Sequence, residues 1–339
     1  MSTTGSVKIG ILGAGTWGVT LARLLYRKGY SVTVWSAIPE EIAYLSETRV
    51  HKNLKEMRIP DGIVFTVDME RACTGMNAVV FAVPSVFMRS TAEKAAAYLA
   101  EDQTVVSVAK GFEKDTLFTM SGILEDVLGN PSRIAALSGP THAEEVAIDL
   151  PTVIVSASSD RKCAAFVQEL FSTDVLRVYT NSDILGVELS GALKNIMALA
   201  AGISEGLGYG DNTKAALITR GLAEITILGK AMGCHRRTFS GLAGIGDLVV
   251  TATSRHSRNN RAGYLMGQGM TAEEATKEVG MVVEGLNALE GAVKLAGKYG
   301  VEMPIVSAVD AIVNGGADPR AMVMKLMTRE KKSEFDFNT

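Results

Sequence analysis

The chain has 339 residues, 47% of them hydrophobic and 21% charged, with a formal net charge of −3. Such a composition belongs to a globular protein of about two domains, and it excludes a chain whose overall charge attracts nucleic acid or an anionic membrane. Any anion must therefore be held by local groups.

The polar opening Met1–Ser6 leaves no room for a cleavable signal peptide before a strand that starts at Val7. From there to about Tyr179 the chain produces short apolar runs rich in β-branched residues: VKIGIL, SVTVW, AVVFAV, TVVSVA, RIAAL, PTVIVSA and VLRVYT. Helical patterns such as 16–28 and 90–99 lie between several of them, and this alternation predicts a mostly parallel sheet covered on both sides. After Asn181 the strand signal fades. Long helical patterns take over, broken at 206–211, 233–237, 244–246 and 267–271. The reading is an α/β domain over residues 1–181 and an all-α domain over 182–339, ending in a charged tail expected to fray.

The first strand runs into Gly13-Ala14-Gly15-Thr16-Trp17-Gly18 and then a helix. In a dinucleotide-binding turn the first glycine permits the tight bend, the second lets a pyrophosphate touch backbone, and the third lets helix and strand pack closely. The helix N-terminus at Thr16 and Trp17 then offers free N–H groups to the phosphates. After the second strand neither the acid expected for NAD nor the arginine expected for NADP follows. Ser36 can hydrogen-bond either form; Glu40 and Glu41 follow Pro39 and can simply start the next helix.

Further along, SVAKGFEKDT ends a strand at Lys110 and ALSGPTHAEE ends another at Ser138-Gly139-Pro140. Ligands collect beyond the carboxyl ends of strands in open α/β sheets, so Lys110, Gly139 and Thr141 point to one crevice. Turn chemistry and a solvated lysine are the plainer alternatives.

In ELSGALKNIMALAAG, Leu189, Leu193, Ile196, Met197 and Ala200 form an apolar stripe, while Lys194 stands among Gly191, Ala198 and Ala201. Small residues there either admit a second helix or surround a lysine that snorkels to water. The apolar stretch 196–203 is bracketed by Lys194 and Glu205, short of a membrane span. Asp247, after a glycine-rich turn, either caps a helix or serves a site. Ser257-Arg258-Asn259 offers a forked cation beside neutral donors, the chemistry suited to one phosphate group. Without an aromatic platform this short basic cluster does not point to nucleic acid. Cys73, Cys163 and Cys234 lack metal-ligand spacing, so no metal is expected, and their pattern suits a reducing compartment.

Together, GAGTWG, AKGFE, SGPTHAEE, ELSGALKNIMALAAG, GLAGIGDLVVT, SRNNR and VVEG closely resemble the NAD(P)-dependent glycerol-3-phosphate dehydrogenases, in the right order from about Lys8 to Pro304. The resemblance implies a Rossmann-type N-terminal domain, a helical C-terminal domain and an active site between them. It implies interconversion of dihydroxyacetone phosphate and sn-glycerol 3-phosphate with NADH or NADPH. Lys194 would be the catalytic acid/base, with Asn195 beside it and Lys110, Asp247 and Thr251 as polar neighbours. Gly139 and Thr141 would contact substrate, and Ser257, Arg258 and Asn259 would hold its phosphate. Thr16, Trp17, Ala143, Arg258, Val282 and Glu284 would touch the cofactor, as would Lys110 together with the turn glycines Gly13, Gly15 and Gly18. Ala37 stands where many bacterial members carry a basic residue. A cytoplasmic homodimer without membrane insertion, supplying phospholipid synthesis, completes the implication. The competing readings are a β-hydroxyacid or 3-hydroxyacyl dehydrogenase, and a nucleotide sensor without catalysis.

Overall fold

The computed structural model describes residues 7–331, 333 and 334. The opening Met1–Ser6, and residue 332 and residues 335–339 of the tail, lie outside the described residues. In chain order the strands are β1 (Lys8–Leu12), β2 (Ser31–Trp35), β3 (Val50–His51), β4 (Leu54–Arg58), β5 (Val64–Thr66), β6 (Ala78–Phe81), β7 (Thr104–Ser107), β8 (Ile134–Ser138), β9 (Thr152–Ala157) and β10 (Leu176–Asn181). Eight of them form one sheet in the order β10-β9-β8-β7-β6-β1-β2-β5, while β3 and β4 pair as a separate hairpin. Every pairing in the large sheet is parallel except β8 with β9, so β9 and β10 run against the rest.

All seven apolar runs become strands of this sheet. They read as unbroken apolar segments because a parallel sheet is covered on both faces. On one face Ile9, Ile11, Val32 and Val34 pack under the helices Thr16–Arg27 and Arg161–Phe171 through Leu21, Leu25, Val167 and Leu170. On the other, Leu12, Val79, Phe81 and Val105 meet Met88, Ala92, Met120 and Leu124 from the helices Met88–Ala96 and Met120–Leu128.

Beyond β10 the chain is helical, built around Ile184–Gly206, in which every residue from Gly186 to Ser204 is buried. This helix is long and apolar enough to cross a bilayer, but 89% of its most apolar window is packed inside the protein. Its small-residue side is covered by the helix Arg258–Gly267. A Cβ added at Gly202 would sit 2.0 Å from the Asn260 carbonyl oxygen, and one at Gly263 would sit 2.1 Å from that of Leu199. Glycine thus lets two helix backbones touch. Ala198 and Ala201 are fully buried, so their smallness serves packing.

Candidate active site

The parallel strands β8, β7, β6, β1 and β2 end at one edge of the sheet, and residues within four positions of each end are thereby placed along it. Gly139 follows β8, Lys110 β7, Ser85 β6, Gly13 β1 and Ser36 β2. At about 4.8 Å per strand, four steps span about 19 Å, enough for an extended dinucleotide and a small substrate side by side. β7 closes at Ser107, so Lys110 stands in the loop beyond it.

The glycines at the β1 end divide their work as the fingerprint requires. Gly13 has φ +122, and a Cβ there would lie 2.5 Å from the Ala82 carbonyl oxygen; a Cβ at Gly18 would lie 2.1 Å from that of Gly13. Gly15 is exposed, with open space where its Cβ would be. The helix Thr16–Arg27 starts with no side-chain cap, leaving its first N–H groups for an anion. An open second glycine before an uncapped helix fits a pyrophosphate. Ser36 donates to Glu41 Oε2 at 2.6 Å and accepts from the Ile38 N–H at 3.2 Å. Glu41 thus folds back from the next helix to lie beside Ser36 at the end of β2.

Lys194 and Lys110 arrive from different parts of the chain and share one carboxylate. Lys194 Nζ donates to Asp247 Oδ1 at 2.7 Å and to Thr251 Oγ1 at 2.6 Å. Lys110 Nζ donates to Asp247 Oδ2 at 2.6 Å and to the Gly139 carbonyl at 3.2 Å. Thr251 sits one turn after Asp247 and passes its own proton to the Asp247 carbonyl at 2.6 Å. Asp247 opens the helix Asp247–Thr253 but does not cap it; its side chain is 1% exposed and committed to the two amines. Lys194 does not snorkel: it is only 7% exposed. Room for the Lys110 stem comes from Gly191, where a Cβ would meet Ser138 Oγ at 3.1 Å and Lys110 Cγ at 3.3 Å.

Burial pushes the Lys194 amine down to about 8, against the attraction of Asp247 and with the help of the Lys110 charge. Burial alone would raise the Asp247 carboxyl, but Lys110 and Lys194 together hold it below the usual carboxylate range. The cluster is thus one anion with two cations, of which the more buried cation gives up its proton near neutral pH. That is a proton donor and acceptor in the physiological range.

Beside it, Asn195 Oδ1 accepts from Asn259 Nδ2 at 3.0 Å, and Asn259 Oδ1 accepts from the Gly285 N–H at 2.8 Å. Ser257 caps the helix Arg258–Gly267 by accepting from the Asn260 N–H at 3.2 Å. Arg258 is exposed at that N-terminus, and its side chain has no partner among the described residues. Glu284 reaches across to the β6 loop, accepting from the Ser85 N–H at 3.2 Å and from Ser85 Oγ at 2.6 Å. Val282 is exposed just before it. Thr141 donates to the Gly139 carbonyl at 3.0 Å, and the short helix Ala143–Ala147 begins immediately after. The described residues contain no cluster of side chains able to hold a metal, and the three cysteines are free and buried.

Residues 8–164 match the family model of the NAD-dependent glycerol-3-phosphate dehydrogenase N-terminus, and residues 183–324 match that of its C-terminus. A protein named glycerol-3-phosphate dehydrogenase (NAD(P)+) 2 from Lactobacillus delbrueckii subsp. bulgaricus is 60% identical over 332 residues, covering 96% of this chain and 98% of its own. The chain belongs to the glycerol-3-phosphate dehydrogenase family. A second relative of that name, from Agathobacter rectalis, is 49% identical over 96% of this chain and 97% of its own. The crystal structure of a glycerol-3-phosphate dehydrogenase from Coxiella burnetii superposes with a TM-score of 0.92 at 35% identity, covering 96% of this chain and 99% of that one. The fold of this family member is accordingly an α/β N-terminal Rossmann-type region followed by a helical C-terminal one, and its cofactor is NAD(P). Two polar groups near the row of strand ends had no signal in the sequence, Ser85 and His142; Ser85 meets Glu284 only on folding.

Proposed function

We propose that this chain interconverts dihydroxyacetone phosphate and sn-glycerol 3-phosphate, with Lys194 as the proton donor and acceptor and with domains 1–181 and 182–339 closing on the substrate. The reading rests above all on Lys194 and Lys110 sharing Asp247 at the carboxyl edge of the sheet. When bound, the nicotinamide would supply or receive the hydride at C2. Lys194 has three N–H donors, of which Asp247 and Thr251 take two. The third is left for the C2 oxygen: as an ammonium it polarises the carbonyl and protonates the incipient alkoxide, and as a free amine it removes the alcohol proton. Lys110 adds positive charge and keeps Lys194 acidic. Asn195 is held by Asn259, and Asn259 by the Gly285 backbone, which orients Ser257, Arg258 and Asn259 for the phosphate. Binding energy at that non-reacting end orders the reacting carbon.

Gly139 and Thr141 serve the substrate. Gly13, Gly15, Thr16, Trp17, Gly18, Ser36, Ala143, Val282 and Glu284 serve the cofactor. The same reading carries a cytoplasmic homodimer that supplies glycerol 3-phosphate to phospholipid synthesis. Exposed Met324 and Met327, on a helix Pro319–Met327 without one buried residue, give such an assembly an apolar surface.

Absorbance at 340 nm with dihydroxyacetone phosphate and each reduced cofactor tests the activity. Lys194→Ala is expected to lose turnover by at least about a thousandfold while still binding NADH in a fluorescence titration. Comparable turnover in the variant would refute the role.

A further inference from the structure

His142 lies between Thr141 and Ala143, the positions proposed for substrate and cofactor, and caps the short helix Ala143–Ala147 without a side-chain bond. The Val250 backbone lies close enough to favour the protonated ring, which marks its carbonyl as the acceptor facing the imidazole. Nε2 is shut off from solvent and finds no partner among the described residues. With the proton on Nδ1, facing Val250, Nε2 is an acceptor.

The surroundings keep the ring neutral. Burial disfavours its charge, and so does the nearby Lys194 ammonium, while Glu144 and Glu145 on its own helix act weakly the other way. The exposed His256 ring stands 5.9 Å away, centroid to centroid, tilted by 53°. A neutral imidazole with one buried, unsatisfied lone pair next to a catalytic ammonium calls for a donor that arrives with the ligand.

Dihydroxyacetone phosphate has one such donor. Its carbonyl and its phosphate dianion only accept; the primary hydroxyl on C1 alone can donate. We propose that His142 Nε2 accepts a hydrogen bond from this hydroxyl and thereby sets the preference for a hydroxylated triose phosphate over its deoxy analogue. The inference rests on the reading of the site given above. Lys194 addresses the oxygen at C2, and His142 addresses the carbon beside it, so one end of the substrate is read by two groups of opposite hydrogen-bonding character. A site built around a substrate hydroxyl discriminates strongly against a ligand that lacks it, because the acceptor is then left unpaired.

The test compares kcat/KM for dihydroxyacetone phosphate and for hydroxyacetone phosphate, which carries a methyl group in place of the CH2OH. His142→Phe keeps a flat ring and removes the lone pair. It is expected to lower kcat/KM for dihydroxyacetone phosphate about tenfold and to change that for hydroxyacetone phosphate by less than about twofold, with NADH affinity unaltered. His142→Gln, whose Oε1 falls near the position of Nε2, is expected to retain most of the discrimination. His142→Asn, which reproduces only Nδ1, is expected to lose it, and this pair carries the test if the Phe variant fails to fold. Equal losses on both ketones would overturn the proposal in favour of a packing role or a contact with the nicotinamide carboxamide, the latter marked by a raised KM for NADH. Unchanged kinetics on both would overturn it outright. A wild-type protein that reduces neither ketone would instead remove the functional reading beneath it.

Discussion

Replacing Lys110 by Met isolates the electrostatic part of the proposed mechanism, since it removes one of two cations that face the same carboxylate. With the Lys194 amine at about 8 instead of the ordinary 10.5, about a tenth of it is free base at pH 7, against about three parts in ten thousand for an unperturbed lysine. The gain is about 300-fold. Lys110 contributes to it by repulsion. Two ammonium groups on either side of one carboxylate lie roughly 5 Å apart, which at an effective dielectric of about 20 corresponds to about 3 kcal/mol. The Lys110 side chain is 18% exposed, and after solvent screening about one pKa unit remains. Lys110→Met should therefore raise the Lys194 inflection from about 8 to about 9. Oxidation of glycerol 3-phosphate needs the free amine, so its kcat/KM rises with pH and levels off above the inflection; reduction needs the ammonium and falls there. In the variant both limbs move upward together, and oxidation at pH 7 loses about tenfold from protonation alone, beyond any loss in the plateau. The assay is the pH profile of kcat/KM in both directions from pH 6 to 10. An inflection that stays in place, or moves down, while only the plateau changes would refute the coupling.

The turn glycines separate binding from folding. Gly15 has φ −67 and open space at Cβ, so the unfolding free energy of Gly15→Ala should match wild type within about 0.5 kcal/mol while KM for NADH rises about tenfold. Gly13→Ala, at φ +122 against the Ala82 carbonyl, should instead lose about 1–3 kcal/mol of stability. Glu224 reports on the helical region: burial raises its carboxyl to about 7, although it accepts from the Ile305 and Val306 N–H groups at the start of the helix Pro304–Val313. A raised carboxyl binds more protons folded than unfolded, so its stabilisation is complete below about 4.5 and is lost as pH rises through about 7. Denaturant midpoints of Glu224→Gln measured from pH 5 to 8 should lack up to about 3 kcal/mol of the decline shown by wild type.

The sheet was legible because burial on both faces writes each parallel strand as a continuous β-branched run. β5 escaped notice because Val64–Thr66 is three residues long, and the hairpin of β3 and β4 because Lys55, Glu56 and Arg58 break its apolar pattern. Lys194, Asp247 and the turn glycines stood out as residues whose chemistry did not suit their neighbours. Sequence left open how they meet. An aspartate in the first turn of a helix looks like a cap, and only tertiary contact shows Asp247 facing two lysines 53 and 137 positions away: Lys194 by way of the central helix, Lys110 by way of the loop after β7. The small side of Ile184–Gly206 fitted both helix contact and a lysine snorkelling to water, and the Gly202 and Gly263 backbones show contact. His142 carried no signal at all, since a lone histidine after Gly-Pro-Thr is defined only by what Val250 and Lys194 do to it.

A crystal structure of the ternary complex with NADH and glycerol 3-phosphate bears most directly on the central claim. The Lys194 nitrogen is expected within about 3 Å of the C2 oxygen, with the phosphate on Arg258 at the start of its helix. A C2 oxygen bonded to another group, with Lys194 still enclosed by Asp247 and Thr251 and out of reach, would contradict it.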